Sequence, residues 1–412
     1  MRSVLLIAPD FPPMNRQSSR RAAAMAKYLP ACGWHVTVLT SLPADCLGPM
    51  SDEEVRANVG IPESQIIRKH LPAERAASMG RLARRWLGVI DILCLPGSRS
   101  SRWARQVLAE LGRQPCAPEV IWATGPHWGP FVAATIAARE HGVPWVADHR
   151  DPVDLIVQNQ ALRRLVAWRE RRICRTASHQ IAVSEPWAAL LRQRAAVPVT
   201  VIPNGFDPDW LCAEPPRPRV GTFTIAYTGS AWGSRDVLPV TRAMNELITE
   251  GAVPAEEVEI LLYSLSAEFL REHGLNSFRK PPRILPKLSL TEILRAQREA
   301  TVLLVLGMPD TPGVLTSKVF EYMAAGRPVL SYPKHPECLD RVLEATGIGV
   351  SCDSVEELKT VLLRWYREWK QTGDIRMSRN PDEIMKYSRK EQAKTLAAVL
   401  DRVVAEHKGR GA

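Results

Sequence analysis

The sequence predicts an α/β protein made of two Rossmann-like, doubly wound domains. Short apolar runs alternate with helical segments along its 412 residues, and this rhythm is typical of a parallel sheet covered by helices. A proline-rich stretch at 203–220 breaks the rhythm, which then restarts. Because the chain is also too long for one ordinary hydrophobic core, two domains are the simplest explanation.

The elements of the first domain follow from apolar runs bounded by glycine, proline and polar residues. The first run lies close to the N-terminus, and its length fits a strand better than a signal peptide. Helices are indicated by apolar residues at helical spacing and by Gly33 and Gly142 as stops. We predict strands at 4–8, 35–40, 119–124, 144–148, 179–184 and 199–202, and helices at 19–31, 131–141 and 186–194.

The same alternation continues after the proline-rich break. We predict strands at 223–227, 258–263, 283–285, 302–306 and 329–332, a helix at 237–250, and further helices between the later strands. A last helix at about 387–406 could cross back to the first domain. The predicted domains are therefore 1–205 and 206–385, with 386–412 as the returning helix.

The composition is that of a soluble globular protein, with 45% hydrophobic and 24% charged residues. Apolar runs of 18 or more residues, which a membrane span requires, do not occur. Eight cysteines are scattered without a CxxC pair, which favours reduced thiols in the cytoplasm over a disulfide framework or a zinc site. They are Cys32, Cys46, Cys94, Cys116, Cys174, Cys212, Cys338 and Cys352.

All of the net positive charge lies in the first half. Residues 1–205 hold 26 Lys and Arg, of which 24 are Arg, against 16 Asp and Glu, whereas 206–412 are balanced. Either an anionic partner of one domain or a general preference for arginine explains this asymmetry. The segment 79–95 combines arginines, Trp86 and aliphatic residues, so it is either a contact with an anionic membrane face or a buried helix. A second basic cluster at 163–175 contains Trp168, and no recognised nucleic-acid module accompanies it.

The segment 317–330, SKVFEYMAAGRPVL, is the most informative part of the chain. It predicts a helix that ends at Gly326 and leads directly into an apolar strand. Lys318 and Glu321 lie three residues apart, so they project from one side of that helix near its N-terminus. A cation beside a helix N-terminus suits a diphosphate, and a carboxylate suits sugar hydroxyls. An incidental ion pair on an amphipathic helix is the alternative.

Polar loops follow three strands of the first domain, at the sheet edge where open α/β folds bind ligands. The loop 9–21 lacks the GxGxxG pattern of NAD enzymes. It offers polar contacts to a sugar or phosphate, with capping of the following helix by Ser18 or Ser19 as the alternative for the serines. His127 is a candidate general base or hydrogen-bond donor. The turn that follows the predicted strand 144–148 could contact an acceptor or be purely structural. The residues concerned are Asn15, Arg16, Ser18, His127, Asp148, Arg150 and Asp151.

Two loops of the second domain could form an anion site. The loop 228–236 is rich in Gly and Ser, so its N–H groups could make an anion-binding nest, with Arg235 as a cationic clamp. The segment 312–316 precedes the helix of Lys318 and could supply further N–H groups. These candidates are Gly229, Ser230, Arg235, Gly313, Val314, Thr316 and Ser317.

Six segments in this order resemble those of glycosyltransferase family 4, in its group-1-like bacterial branch. They are LLIAPDFPPMNRQSSRRAAAMAKYLP, IWATGPHWGPF, PWVADHRDP, VIPNGFD, YTGS with SRD, and GVLTSKVFEYMAAGRPVL. The resemblance implies the GT-B fold, in which two Rossmann-like domains flank a cleft. It further implies retaining hexosyl transfer from a UDP- or GDP-sugar, with no cofactor and no obligatory metal. The acceptor would be a glycan, a lipid-linked substrate or another glycoconjugate.

The resemblance also implies roles for the candidate residues. His127, Arg235 and Lys318 would be catalytic, and Glu321 would bind the donor ribose. The donor would contact Gly229, Ser230, Arg235, Gly313, Val314, Thr316, Ser317, Lys318 and Glu321 in the second domain. The acceptor would contact Asn15, Arg16, Ser18, His127, Asp148, Arg150 and Asp151 in the first. We expect a cytoplasmic protein that contacts the cytoplasmic membrane face if its basic segments bind lipid.

One position departs from the family pattern. The family has two glutamates eight positions apart, and Gly313 stands where the first would be. This departure leaves the donor sugar open and motivates an alternative, a glycosyltransferase-like protein that binds without turnover. A nucleotide-sugar 2-epimerase of the same fold is a further alternative, although it requires more acid–base groups than the sequence offers.

Overall fold

The chain divides into two units of α/β structure. The computed structural model describes residues 2–42, 50–69, 90, 98–111, 118–125, 128–150, 160–211, 218–229, 236–263, 265–308, 311, 313–335 and 338–411. Contacts between residues separate unit 1, Met1–Pro203 with Arg389–Ala412, from unit 2, Asn204–Ser388. The chain passes from unit 1 to unit 2 between residues 203 and 204 and returns to unit 1 between residues 388 and 389. The sequence-based division placed these boundaries at 205/206 and 385/386.

Unit 1 is built on a parallel sheet in which the described residues form seven strands. Their spatial order is β3-β2-β1-β4-β5-β6-β7, and every neighbouring pair is parallel. The strands are β1 Arg2–Ile7, β2 Trp34–Ser41, β3 Ile66–Lys69, β4 Val120–Gly125, β5 Trp145–His149, β6 His179–Ala182 and β7 Val199–Val201. The helices are α1 Gln17–Tyr28, α2 Asp52–Asn58, α3 Arg99–Leu111, α4 Gly129–His141, α5 Gln160–Cys174 and α6 Glu185–Arg194.

Unit 2 repeats this architecture with a six-stranded parallel sheet within its described part. The order is β10-β9-β8-β11-β12-β13. The strands are β8 Phe223–Tyr227, β9 Val258–Tyr263, β10 Arg283–Leu285, β11 Val302–Leu306, β12 Val329–Tyr332 and β13 Gly349–Ser351. The helices are α7 Leu238–Thr249, α8 Ala267–Glu272, α9 Leu290–Glu299, α10 Lys318–Ala325, α11 Leu339–Thr346, α12 Val355–Thr372 and α13 Pro381–Met385.

The last helix, α14, spans Arg389–Gly411 and packs in unit 1. Its apolar residues Leu396, Leu400 and Val403 are buried in the same core as β1, and the indole N–H of Trp34 donates to Asp401 at 3.0 Å. Within the described ranges, no helix combines the length and the apolar character that crossing a bilayer requires.

The predicted α/β class and the two Rossmann-like sheets are confirmed. Each predicted strand is present, with ends that differ by at most two residues from those predicted. The short elements β3, β13, α2 and α13 were not predicted, because pieces of three to seven residues carry too few positions for a hydrophobic period to stand out. The longer helices α3, α5, α11 and α12 were not predicted either. The segment 79–95 falls almost wholly outside the described residues.

A buried polar cluster lies beside the end of β5. The His149 ring nitrogen Nε2 is 3.1 Å from the amide oxygen of Gln180 and 3.5 Å from the thiol of Cys174. Its Nδ1 is 3.6 Å from the Glu170 carboxylate, which is itself paired with Arg194. Burial lowers the pKa of His149 to about 4, outweighing the neighbouring Asp148 carboxylate, which raises it. The imidazole is therefore neutral near pH 7.

We expect His149 to make the protein less stable in mild acid. Between the usual histidine pKa of about 6.5 and about 4, the unfolded chain binds a proton that the folded chain does not. The free energy of unfolding therefore falls as pH drops through this window, by up to about 3 kcal/mol. Urea unfolding of the wild type and His149→Gln at several pH values measures the difference. His35→Gln, at an exposed position, is the control, and parallel curves for wild type and His149→Gln would contradict the expectation.

Candidate functional site

The connectivity of unit 2 places its ligand-binding edge between β8 and β11. These strands are neighbours, but the chain leaves β8 toward β9 on one side and leaves β11 toward β12 on the other. A crevice opens at such a switch point, outside the carboxyl ends of the strands, and open α/β folds bind ligands there. The residues that follow β8 and the start of α10 should therefore carry the site.

A connected network of polar side chains lies at this edge. The Lys318 ammonium is 2.7 Å from Oε2 of Glu321, and the amide Nε2 of Gln297 donates to the same oxygen at 3.2 Å. That amide nitrogen also lies 3.0 Å from the hydroxyl of Thr228, which is 3.0 Å from the hydroxyl of Tyr322. The network joins α9, α10 and the end of β8.

Burial determines which groups of this network stay charged or protonated. Glu321 is 2% exposed and Gln297 is fully buried, whereas the Lys318 side chain keeps 24% of its exposure. A buried carboxylate is costly unless it is paired, and Lys318 and Gln297 supply that pairing. Burial also raises the pKa of Tyr322 well above its usual value, so its hydroxyl stays protonated. The ion pair that the sequence left open as incidental is therefore part of a buried network.

The local sequence explains why α10 holds these groups in place. Val319, Phe320 and Met323 are fully buried in the core of unit 2, so Lys318 and Glu321 are carried on a helix with a fixed rotation. The Thr316 hydroxyl lies 3.5 Å from the Lys318 N–H at the helix start, and Ser317 occupies the cap position without a side-chain bond. The helix ends at Ala325, as predicted, and leads into β12.

The turn before α10 explains the departure at Gly313. Gly313 has φ of 82°, a left-handed conformation that glycine adopts without strain and glutamate does not. The Val314 N–H donates to the carbonyl of Thr311 at 3.3 Å, and the thiol of Cys338 lies 3.5 Å from the Val314 carbonyl. Both backbone groups of Val314 thus have partners within the turn, and their contact with a donor sugar stays a prediction.

The loop after β8 is described only in part. A Cβ atom at Gly229 would lie 2.6 Å from the hydroxyl of Tyr227, so a side chain at this position would require the Tyr227 ring to shift. Ser230 and Arg235 lie outside the described residues. The structure therefore brings together Lys318 and Glu321 of the predicted donor residues, with Thr316 and Ser317 at the same helix start.

Unit 1 has an equivalent switch point, between β1 and β4. After β1, the Ser18 hydroxyl donates to the buried carboxylate of Asp10 at 2.5 Å, and an Arg16 guanidinium nitrogen lies 3.8 Å from the same carboxylate. Arg20 donates to the side-chain oxygen of Asn15 at 2.7 Å. Ser18 lies within α1 and does not cap it, because the helix begins one residue earlier. The capping alternative is therefore wrong for Ser18.

The Asp148 carboxylate is engaged within the fold. Two nitrogens of the Arg21 guanidinium donate to its two oxygens, each at 3.0 Å, and both residues are almost fully buried. Arg21 also donates to the carbonyls of Ile202 and Pro203 at 3.0 and 2.8 Å. This ion pair ties α1 to β5 and to the segment after β7. Arg150 is partly buried, and His127 and Asp151 lie outside the described residues.

Sequence reasoning missed several members of these networks. Gln297 stands at a core-facing position of α9, in phase with the buried Leu290 and Leu294, and a polar residue in that phase is a usable signal. Asp10 follows the first strand directly, which is another. Nothing in the sequence pairs Arg21 with Asp148, because 127 positions separate them.

Comparison with known proteins agrees with this architecture. Residues 18–205 match the family model of the glycosyl transferase 4-like domain, and no curated protein matches the chain significantly. Among solved structures, HepE of Anabaena in complex with UDP-glucose has 13% identity and a TM-score of 0.58, with full coverage of both chains. Sucrose-phosphate synthase from Thermosynechococcus elongatus has 14% identity and a TM-score of 0.60, with 99% and 98% of the two chains covered.

A structure with a different activity in its name shares the fold as well. A UDP-N-acetylglucosamine 2-epimerase from Listeria monocytogenes, described as putative, has 15% identity and a TM-score of 0.54, covering 97% of this chain and 95% of its own. At these identities the likeness concerns the fold alone. The predicted GT-B fold and the resemblance to family 4 are confirmed.

Proposed function

We propose that this chain, whose residues 18–205 match the glycosyl transferase 4-like family model, moves a sugar from a nucleotide-diphosphate donor to an acceptor. The observation that carries the proposal is the buried Glu321 carboxylate, held by Lys318 and Gln297 at the switch point of unit 2. A carboxylate fixed in this way is a preorganised acceptor for two neighbouring hydroxyl groups, as on a ribose.

The diphosphate would lie against Lys318 and the N-terminus of α10. An ammonium group has three N–H donors, so Lys318 can keep its bond to Glu321 and still donate to a phosphate oxygen. The first N–H groups of α10 and the helix dipole add further attraction for the anion. Together they would stabilise the charge that develops on the leaving diphosphate. Arg235 would add a second cation from the loop after β8.

Transfer with retention fits a site with few acid–base side chains. In a front-face reaction the leaving phosphate accepts the acceptor's proton, so the protein mainly positions the reactants. The acceptor would contact unit 1 through the polar groups after β1, where Ser18 and Arg16 approach the Asp10 carboxylate and Asn15 accepts a hydrogen bond from Arg20. His127, Arg150 and Asp151 complete the proposed acceptor set. A glycan, a lipid-linked sugar or another glycoconjugate fits such a polar surface.

A thermal-shift panel with UDP, GDP, ADP, TDP and NAD tests the donor site. HepE was solved with UDP-glucose, which makes UDP the first ligand to try. We expect a shift with UDP or GDP alone, because a ligand at a hundredfold excess over its Kd stabilises the native state by about 2.7 kcal/mol. No shift with any of the five would contradict the proposal.

Turnover without acceptor separates the three candidate activities. A transferase is expected to hydrolyse its donor slowly, and the released sugar should keep the donor's anomeric configuration if transfer is retaining. A binding protein would release no sugar. The shared fold with a 2-epimerase motivates one more assay, in which UDP-N-acetylglucosamine is examined for its 2-epimer. Epimer formation without sugar release would replace the transferase proposal.

A further inference from the structure

Helix α5 has an exposed face that combines arginines with large apolar side chains. We define the α5 outer surface as Arg164, Leu165, Trp168, Arg171 and Arg172, all of which are exposed. Their spacing of three and four residues places them along one side of the helix. Leu165 is 45% and Trp168 is 52% exposed, although such residues are usually buried. An interaction surface accounts for this exposure.

The opposite side of α5 is anchored in unit 1. Val166, Glu170 and Cys174 are buried, at the spacing of one helical face. Glu170 is the single acidic residue of α5, and it points inward, where it pairs with Arg194 of α6. The acid is thus removed from the outer surface, which carries positive charge alone. This segregation of charge leaves the α5 outer surface complementary to an anionic partner.

The apolar residues decide between the kinds of anionic partner. A nucleic-acid backbone would be contacted by the arginines, but it provides no environment for Leu165. An anionic lipid surface satisfies both components, because arginines bind headgroups while leucine and tryptophan enter the interfacial layer. The Arg172 guanidinium lies over the Trp168 ring, 5.6 Å from its centre, so cation and indole face outward together, as expected at a membrane interface.

We infer that the α5 outer surface docks unit 1 onto an anionic lipid surface. Basic side chains near such a surface each contribute about a fivefold increase in affinity, and this contribution is screened by salt. The inference uses unit 1 alone and does not depend on the proposed transfer reaction. Lipid binding and donor turnover are therefore separate measurements, and one can fail without the other.

Co-sedimentation with vesicles of phosphatidylcholine, with and without phosphatidylglycerol, tests the inference. We expect the full chain to bind only the vesicles that contain phosphatidylglycerol, and to release them as salt rises. Arg164→Gln with Arg172→Gln should weaken binding by roughly 25-fold. Leu165→Ser with Trp168→Ser should weaken it by at least about tenfold, through lost apolar burial.

Matched variants elsewhere in unit 1 serve as controls. Arg56→Gln with Arg402→Gln removes the same charge from two exposed positions outside α5. Ile136→Ser removes an aliphatic side chain that is 37% exposed on α4. Both controls should bind vesicles nearly as the wild type does, and melting curves verify that every variant is folded. Three results would overturn the inference: no binding of the wild type to anionic vesicles, equal losses in the α5 and control arginine pairs, or binding of duplex nucleic acid without binding of vesicles.

Discussion

Glu321→Gln is expected to weaken nucleotide binding by about a hundredfold. The substitution preserves the shape of the side chain and removes the charge that would accept the ribose hydroxyls. Hydrogen bonds to charged groups contribute about 1.5–3 kcal/mol each, so losing two of them reaches this size even after partial compensation by the amide. Titration calorimetry with the nucleotide that the thermal-shift panel selects measures the loss.

Ribose analogues make the assignment specific. The wild type should bind the 2′-deoxy and 3′-deoxy forms of the nucleotide more weakly than the parent, because each lacks one hydroxyl for the carboxylate. Glu321→Gln should discriminate much less among the three ligands, since its stronger acceptor is already gone. Equal discrimination by both proteins would mean that Glu321 does not contact the ribose, and that the loss in the variant is structural.

Lys318→Ala provides the matched control on the same helix. It should weaken binding of the nucleoside diphosphate and leave binding of the nucleoside nearly unchanged, whereas Glu321→Gln should weaken binding of both. Lys318 keeps part of its exposure, so an ammonium group that loses its partner can turn toward water. Unliganded Glu321→Gln should therefore melt close to the wild type, whereas Lys318→Ala leaves the buried Glu321 carboxylate without the Lys318 cation and should melt at a lower temperature. Equal losses of affinity for the nucleoside and the nucleoside diphosphate in Lys318→Ala would mean that Lys318 does not contact the phosphates.

Local signals predicted the part of the site that a single element carries. Lys318, Glu321 and the stop after Ala325 all lie in one helix–strand segment, whose periodicity and glycine are readable without tertiary information. Eleven of the thirteen strands in the described residues were predicted for the same reason, because buried parallel strands are continuous apolar runs. The fold class and the pairing of Lys318 with Glu321 therefore followed from short-range patterns.

Long-range partners could not be predicted in the same way. Gln297 and Glu321 are 24 positions apart and lie on different helices, so their bond depends on how α9 and α10 pack. Asp148 was predicted from its place after a strand, yet the structure shows its carboxylate bound to Arg21 of α1. A position at a sheet edge indicates proximity to a ligand. It does not indicate whether the side chain is already bound to another group of the protein.

At Gly313 the sequence and the structure each contribute part of the explanation. The sequence shows a glycine where family 4 has a glutamate, which by itself suggests a lost contact. The structure adds that this residue has positive φ, so the turn before α10 follows a path that disfavours a glutamate. The donor sugar would then meet backbone and neighbouring side chains at this point, because a glutamate here would strain the turn.

Asp148→Ala is expected to destabilise unit 1 by about 3–5 kcal/mol. The carboxylate and the Arg21 guanidinium are both almost fully buried, so removing the acid leaves a cation with the carbonyls of Ile202 and Pro203 as its remaining partners. An uncompensated buried charge costs about this much, far more than an exposed pair contributes. Urea unfolding of the full chain measures the loss.

The Arg21 and Asp148 pair also permits a double-mutant cycle. Arg21→Met with Asp148→Leu removes both charges and keeps apolar volume. The loss in free energy of unfolding of the double variant should therefore be about 2–3 kcal/mol smaller than the sum of the losses in the two single variants. Glu63→Ala is the matched control, because Arg68 approaches Glu63 at 3.1 Å but the Glu63 side chain is 71% exposed. That change should cost less than about 1 kcal/mol. Equal costs for Asp148→Ala and Glu63→Ala, or strict additivity in the cycle, would mean that the buried pair does not tie α1 to β5.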